Sequence, residues 1–112
     1  MSAQEIVNKI DVNGNHSPFA VYLDEDVFNL EQENLYRGKV WSYIGLDVEV
    51  PNAGDYKTTF VGDTPIVLTR GEDGSLNAWV NRCAHKGAVV CRERHGHSDD
   101  GAFTCVYHQW AY

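Results

Sequence analysis

The sequence predicts a mainly β fold, a small antiparallel sandwich or barrel preceded by one short helix. Short stretches that are apolar or that alternate between apolar and polar residues recur from Val40 to Val80, and clusters of turn residues separate them. The composition, with 43% hydrophobic and 22% charged residues, is that of a globular protein. At 112 residues the chain is long enough for one small domain.

The helix is predicted over residues 25–37. The acidic stretch Asp24–Asp26 supplies an N-cap and an acidic first turn, and apolar residues follow over 27–36 with helical spacing. Gly38 is a candidate stop. Residues 1–18 are polar and are expected to form an ordered but irregular arm.

Strands are predicted where the spacing of apolar residues shortens after the helix. The loop Pro51–Asp55 and the turn Gly62–Asp63 bound an alternating stretch, and Gly71–Ser75 reads as a hairpin turn. The predicted strands cover residues 40–44 with a continuation over 46–50, and then 56–61, 65–70 and 76–80.

Two short pairs of metal-ligand residues follow the strands. They are Cys83-x-His85 and Cys105-x-x-His108, with 19 residues between His85 and Cys105. Each pair offers one thiolate and one imidazole, which suits a [2Fe–2S] cluster that has one iron bound by Cys and the other by His. Gly87 fits a tight turn beside such a cluster. The sequence therefore predicts Cys83, His85, Cys105 and His108 as the ligands.

Three other readings of these residues compete with the cluster. A tetrahedral zinc site could use the same Cys₂His₂ set, but zinc motifs usually pair Cys with Cys and His with His. A disulfide is disfavoured because the chain has three cysteines and no secretion signal. Cysteines that merely fill the core are the third reading, and two chance Cys/His pairs in one short segment would be improbable.

The stretch 92–100, between the two pairs, offers two His and two Asp, the residue types of a mononuclear iron site. Its glycine, its mixed charges and its lack of apolar periodicity favour a charged, solvated loop. Cys91 is expected to be a small packed residue, neither a ligand nor a reactive thiol. His16 has no residue of ligand type nearby and is assigned no role.

The formal charge of −7 and the pI near 5.0 disfavour binding to nucleic acid. An acidic surface tolerates a basic patch on a redox partner, although it is also a common route to solubility. No apolar run is long enough to cross a membrane, and the N-terminus lacks a signal-peptide pattern. We expect a cytoplasmic location with no membrane partner, because iron–sulfur ligation needs reduced thiolates.

The two ligand motifs also resemble those of a known family. Residues 81–87 and 105–110 resemble the Rieske signature of the large (α) subunits of ring-hydroxylating oxygenases. Further upstream, residues 35–41, 54–60 and 64–67 are most similar to the subunits that act on salicylate, anthranilate and terephthalate. The resemblance covers about residues 20–112.

The resemblance implies a division of the chain and a role for its residues. Residues 1–39 would be an N-terminal arm and helix, and 40–112 a Rieske [2Fe–2S] domain. Cys83 and Cys105 would bind one iron, and His85 and His108 the other. Lys86 stands where the family more often has Arg, and Gln109 where it often has Gly, but neither residue is a ligand.

In the family, the Rieske domain takes electrons from a reductase or ferredoxin. It passes them to a mononuclear non-haem iron in a neighbouring α subunit, and that iron activates O₂ to hydroxylate an aromatic ring. The resemblance therefore implies that the chain is part of an aromatic-ring-hydroxylating dioxygenase. Its partners would be other α subunits and a small β subunit, with the aromatic acid substrate bound only in the catalytic domain.

The family continues beyond the second ligand motif with closing strands and then the catalytic domain. We therefore expect this chain to be an N-terminal fragment with an incomplete Rieske fold and no oxygenase active site. A stand-alone Rieske ferredoxin is the alternative, but such ferredoxins generally begin without the lead-in that the predicted helix and Trp41 form here. A structural zinc module is the third possibility.

Overall fold

The computed structural model describes residues 2–112. The chain separates into two compact units, one formed by residues 2–42 and the other by Tyr43–Tyr112. The first unit is helical, and the second contains an antiparallel β-sheet.

The first unit begins with helix α1 (Ala3–Val7), where the sequence predicted an irregular arm. That prediction was wrong for these residues because a capping box starts the helix. The Ser2 N–H donates to Glu5 Oε2 at 2.7 Å, and the Glu5 N–H donates to Ser2 Oγ at 3.4 Å. Ala3 and Ile6 are buried with Val27, and this burial holds the short helix in place.

The helix predicted over 25–37 is confirmed. Helix α2 (Glu25–Glu31) continues into a π-helical turn over Gln32–Tyr36, and a 3₁₀ turn (Phe19–Tyr22) precedes it. The Val27 N–H donates to Asp24 Oδ1 at 3.1 Å, as expected for an N-cap. Gly38 ends the helical segment, where its N–H donates to the Leu35 carbonyl at 3.1 Å.

The second unit contains four antiparallel strands. They are β1 (Asp55–Val61), β2 (Thr64–Arg70), β3 (Leu76–Val80) and β4 (His95–His97), and their order in the sheet is β3-β2-β1-β4. The strands predicted over 56–61, 65–70 and 76–80 are confirmed. A mainly β, antiparallel fold with short helices is confirmed as well, and the strands of residues 2–112 lie in a four-stranded sheet.

Two strand predictions were wrong. Residues 40–44 do not form a strand, and a 3₁₀ turn (Asp47–Glu49) lies within 46–50. The Leu46 N–H donates to Glu49 Oε2 at 2.7 Å. This local hydrogen bond bends the chain, whereas a strand would need hydrogen bonds to a neighbouring strand. Trp41 is fully exposed, so its aromatic side chain marks no buried strand face.

Strand β4 lies in the stretch that was expected to be a loop. It pairs with β1, and Gly96 faces Tyr56 in the register. A Cβ atom on Gly96 would overlap the Tyr56 ring, so the close approach of the two strands depends on glycine. Because this pairing is long-range, the local sequence carries little sign of it.

The core of the second unit includes the cysteines of both predicted ligand pairs. Its buried members include Val67, fully buried in β2, and all three cysteines of the chain, which are free thiols. Cys91 is only 7% exposed, so its prediction as a packed residue is confirmed. Partly buried side chains complete the core: Tyr56, Trp79, Ala88 and Phe103. Within residues 2–112, no helix combines the length and the apolar character that crossing a bilayer would require.

Candidate metal centre

The first ligand pair sits on a turn closed by main-chain hydrogen bonds. The Gly87 N–H donates to the Cys83 carbonyl at 2.7 Å, and the Cys83 N–H donates to the Ala88 carbonyl at 2.7 Å. Gly87 has a φ of 77°, the left-handed conformation that glycine adopts without strain. The tight turn predicted at Gly87 is therefore confirmed.

The second ligand pair sits on a turn with the same main-chain pattern. The Gln109 N–H donates to the Cys105 carbonyl at 2.9 Å, and the Cys105 N–H donates to the Trp110 carbonyl at 2.8 Å. Gln109 closes this turn with a φ of 62°, although it is not glycine. The two turns therefore share one backbone construction, with a cysteine first and a left-handed residue fifth.

The two turns bring the thiols of Cys83 and Cys105 together in the core. Cys83 is 5% exposed and Cys105 is 1% exposed. The pKa of the Cys83 thiol is lowered, first by the hydrogen bond from the Tyr112 hydroxyl and then by the His85 N–H, the Cys105 thiol and the Lys86 N–H. A lowered pKa favours the thiolate, which is the form that binds metal.

The imidazoles form a second pair, and this one is at the surface. Nδ1 of His85 lies 3.1 Å from Nδ1 of His108, and both residues are exposed. Two nitrogens bound to one metal ion at about 2.0–2.1 Å would lie roughly 2.8–3.4 Å apart for bond angles between 90° and tetrahedral. The Nδ1 separation therefore fits a single metal ion held between the two rings.

Aromatic side chains hold the two imidazoles in place. The Trp110 ring stacks on His85, with centroids 4.6 Å apart and an interplanar angle of 12°. Tyr107 packs against His108 with centroids 4.2 Å apart. Each histidine is thus buttressed by an aromatic residue of the second turn, which limits its rotation.

The donors therefore sort by chemical type, sulfur with sulfur and nitrogen with nitrogen, although each turn supplies one of each. Such sorting suits two metal ions with different ligands, as in a [2Fe–2S] cluster bound by Cys at one iron and His at the other. A tetrahedral zinc site would instead gather all four donors around one point. In the part of the chain that the structure describes, no group of three or more His, Cys, Asp or Glu side chains is placed to hold one ion.

Asn81 braces the first turn from within, a role that sequence reasoning missed. Its side-chain oxygen accepts hydrogen bonds from the N–H groups of Val90 (3.1 Å) and Cys91 (2.9 Å), and its amide donates to the Cys91 carbonyl at 2.8 Å. Asn81 is 4% exposed. A buried amide two residues before Cys83 thus closes the loop that carries the first ligand pair, and an Asn at that position was the available signal.

Tyr112 links the first turn to the chain beyond the second turn. Its hydroxyl accepts from the Ala84 N–H at 2.7 Å and donates to Cys83 Sγ at 3.2 Å. Its ring lies nearly parallel to Trp79, with centroids 6.0 Å apart and an interplanar angle of 18°. The separation of 28 positions between Ala84 and Tyr112 hid this contact from sequence reasoning.

The histidines of the stretch 92–100 serve the sheet. His97 Nδ1 lies 2.8 Å from Asp55 Oδ1, and its Nε2 lies 3.5 Å from Asp99 Oδ1. Asp55 and His97 are register partners in β1 and β4. The pKa of Asp55 is lowered, first by the Asn52 N–H and then by His97. The expected charged loop therefore includes a short strand that is fixed by the hydrogen bond between His97 and Asp55.

The fold and the paired donors define a known class. A family model of the Rieske [2Fe–2S] domain matches residues 40–112. The chain belongs to the Rieske [2Fe–2S] domain family.

Within that class, the relatives are oxygenase subunits. The chain is 53% identical to the anthranilate 1,2-dioxygenase large subunit of Burkholderia cepacia over 100 residues, which are 89% of this chain and 23% of that protein. It is 48% identical to a terephthalate 1,2-dioxygenase terminal oxygenase α subunit from Comamonas sp, over 85% of this chain and 22% of that protein. The resemblance to large subunits of this kind is therefore confirmed.

A solved structure supports the same placement. The naphthalene 1,2-dioxygenase from Rhodococcus sp., bound to indole, matches with a TM-score of 0.80 and 30% identity, covering 99% of this chain and 24% of that one. The chain thus spans less than a quarter of the length of each of these three relatives.

Proposed function

We propose that this chain is the electron-transfer domain of an aromatic-ring-hydroxylating oxygenase. Cys83 and Cys105 would hold one iron of a [2Fe–2S] cluster, and His85 and His108 the other. The observation that carries the proposal is the sorting of donors, with two adjacent buried thiols and two imidazole nitrogens 3.1 Å apart.

The residues of the chain would tune and protect the bound group. When bound, a Rieske-type cluster stores and releases one electron, at potentials of about −150 to +300 mV. Burial of Cys83 and Cys105 keeps water from the thiolates. The Tyr112 hydroxyl donates to Cys83 Sγ, and such a bond stabilises negative charge on the sulfur.

The difference in exposure between the imidazoles and the thiols indicates where electrons would enter and leave the domain. The imidazole rings of His85 and His108 are exposed, whereas the thiols are buried, so a redox partner can approach closely only on the imidazole side. Trp110 and Tyr107 flank these rings and are 47% and 66% exposed. Electrons would therefore enter and leave the domain at the surface around the two histidines.

The relatives support a place for this domain in a larger enzyme. Their names describe large or α subunits of oxygenases that act on anthranilate and terephthalate. By this proposal the chain accepts electrons from a reductase or ferredoxin and delivers them to a mononuclear non-haem iron in a catalytic domain. In that domain O₂ would be used to hydroxylate an aromatic acid. Neighbouring α subunits and a small β subunit would complete the assembly.

Electron paramagnetic resonance of the dithionite-reduced protein tests the proposal, with iron and acid-labile sulfide counted in the same sample. We expect two irons per chain and a rhombic signal whose average g value lies below that of ferredoxins ligated only by cysteine. Bound zinc with no such signal would contradict the cluster and, with it, the electron-transfer role.

A further inference from the structure

Positive charge is concentrated in one stretch of an acidic chain. Residues 82–94, called here the basic segment, hold four of the nine Lys and Arg residues but one of the sixteen Asp and Glu residues. The chain as a whole carries a formal charge of −7. The four cations are Arg82, Lys86, Arg92 and Arg94.

These four cations are available to a partner. All four residues are exposed, and none forms an ion pair with another residue of the described chain. Elsewhere in the same unit the cations are paired, since Lys57 Nζ lies 2.8 Å from Glu49 Oε2 and Arg70 bonds to Asp47. Unpaired cations of one sign produce a field that extends about a Debye length, roughly 8–10 Å at physiological salt.

The basic segment surrounds the first ligand pair and also reaches the second turn. Lys86 follows His85 directly in the chain. The Asn81 side chain is hydrogen-bonded to the main chain of Cys91, and these bonds fix the position of the residue before Arg92. Arg92 lines an open groove of about 320 Å³ together with Val106, the neighbour of Cys105. None of the described residues that line this groove is acidic.

We propose that the electron donor of this domain is an acidic protein that docks against the basic segment beside His85. The inference rests on the proposed function, because that function requires a donor that arrives by diffusion. Complementary charge raises the rate of such encounters by 10- to 1000-fold at low salt. The net charge of the chain alone would favour the opposite partner, a basic one, so the local and the overall charge make contrary predictions.

Small reductants of opposite charge separate these predictions without a natural donor. The probes are the reduced radicals of methyl viologen, which is cationic, and of a bis-sulfonatopropyl viologen, which is anionic. Each gives one electron to the oxidised, cluster-loaded chain and is oxidised to its parent viologen. The rate is followed by stopped-flow absorbance at several ionic strengths.

We expect the anionic radical to react more slowly as salt is added and the cationic radical to react faster. The sign of each salt effect is the readout, since it does not depend on the different potentials of the two viologens. The reverse signs would show that the overall charge of −7 governs approach to the histidines, and the proposal would be overturned.

A charge-reversed variant locates the effect. We expect Arg92→Glu with Arg94→Glu to slow reduction by an acidic plant-type ferredoxin about tenfold at low ionic strength, whereas Arg92→Lys with Arg94→Lys keeps the rate within about twofold. Lys9→Glu with Lys39→Glu, which makes the same change of charge outside the basic segment, is the matched control. A charge-reversed variant with the rate of the parent chain would sink the docking proposal.

The two proposals fail in different ways. A chain without a reducible cluster would refute the proposed function. A chain with a normal paramagnetic signal, whose reduction ignores the charge of the reductant and of residues 92 and 94, would refute only the docking of an acidic donor. The spectrum and the reduction potential of each variant are recorded as well. If both are unchanged, a slower rate reflects slower encounter between the reductant and the domain.

Discussion

The hydroxyl of Tyr112 donates a hydrogen bond to Sγ of Cys83 at 3.2 Å, across 28 intervening residues. The same contact raises the pKa of Tyr112, because ionising the phenol would place a second negative charge beside the sulfur. The phenol proton is thus held on oxygen and directed at the sulfur, an arrangement that would disperse negative charge on a metal-bound thiolate.

Removing that hydroxyl is expected to lower the reduction potential. In Tyr112→Phe the reduced state loses a hydrogen bond to charged sulfur, worth about 1–2 kcal/mol, which corresponds to roughly 40–90 mV for a one-electron couple. Potentiometric titration followed by visible absorbance measures the shift. Tyr107→Phe is the control. It removes a hydroxyl from the residue that packs against His108, and that hydroxyl makes no hydrogen bond to a cysteine. Equal potentials in the parent chain and Tyr112→Phe would rule out this effect.

Replacing a neutral ligand by an anionic one is expected to lower the reduction potential by more than the loss of the Tyr112 hydroxyl does. His85→Cys should keep a cluster and shift its potential towards the value of about −400 mV typical of plant-type ferredoxins. His95→Cys, an exposed substitution in β4, should leave the potential unchanged. If His85→Cys binds two irons and retains the parent potential, His85 is not a ligand.

The residues that close the two ligand turns should respond to substitution in opposite directions. Gln109 holds a φ of 62° at some cost, so Gln109→Gly should stabilise the protein by about 0.5–1 kcal/mol. Gly87→Ala should destabilise it by about 1 kcal/mol through its φ of 77° alone, because nothing lies within 4 Å of the added Cβ. Urea unfolding of the cluster-loaded chain measures both changes. Matching signs for the two variants would contradict the shared geometry.

Truncating the buried amide of Asn81 should loosen the first turn. Asn81→Ala leaves three main-chain groups of Val90 and Cys91 without their partners, which should cost about 2–4 kcal/mol. We expect lower stability in urea and faster loss of iron to a chelator. Asn77→Ala, on the exposed strand β3, serves as the matched control. Iron retention equal to that of the control would show that the first turn does not need the Asn81 side chain.

Cys91 gives a pH-dependent prediction. Burial raises the pKa of its thiol to about 11, from an ordinary value of 9.0. Between these values the folded chain keeps a proton that the unfolded chain releases, so stability should fall as pH rises from about 9 to 11, by at most about 1.4 kcal/mol per unit. Unfolding midpoints across this range should fall less steeply in Cys91→Ala.

The visible spectrum of a Cys91 variant tests which thiols bind iron. Cys91→Ser should keep the visible spectrum of the parent chain, since Cys91 is a packing residue by this assignment. Loss of that spectrum in a variant that still folds would mean that Cys91 is one of the thiol ligands.

Local signals were sufficient for much of this fold. Strands β1 to β3 follow each other through short turns, so turn residues and apolar spacing located them. The four residues predicted as ligands were likewise proposed from their spacing alone, and the structure places the two thiols in the core and the two imidazoles side by side. Strand β4 escaped prediction because it forms only by pairing with β1, through Gly96 against the Tyr56 ring. The aromatic residues within 40–44 suggested a strand, but these residues pair with no neighbouring strand.

The spacing of residues in the sequence pointed to the four proposed ligands but not to the residues that contact them. Asn81 reaches ten residues along the chain and Tyr112 reaches 28, and no local period encodes either distance. Their contacts exist only once the two turns have been brought together, so they belong to the tertiary structure. A candidate ligand set can therefore be predicted from spacing more readily than the bonds that tune it.

The shared construction of the two turns leaves their inner positions chemically free. Main-chain bonds from Cys83 to Ala88 and from Cys105 to Trp110 set each frame, and one frame offers its imidazole two residues after the cysteine, the other three residues after it. The side chains of Ala84, Lys86 and Val106 take no part in these main-chain bonds. Evolution could therefore exchange Ala84, Lys86 or Val106 to suit a new redox partner while the metal-binding scaffold stayed as it was.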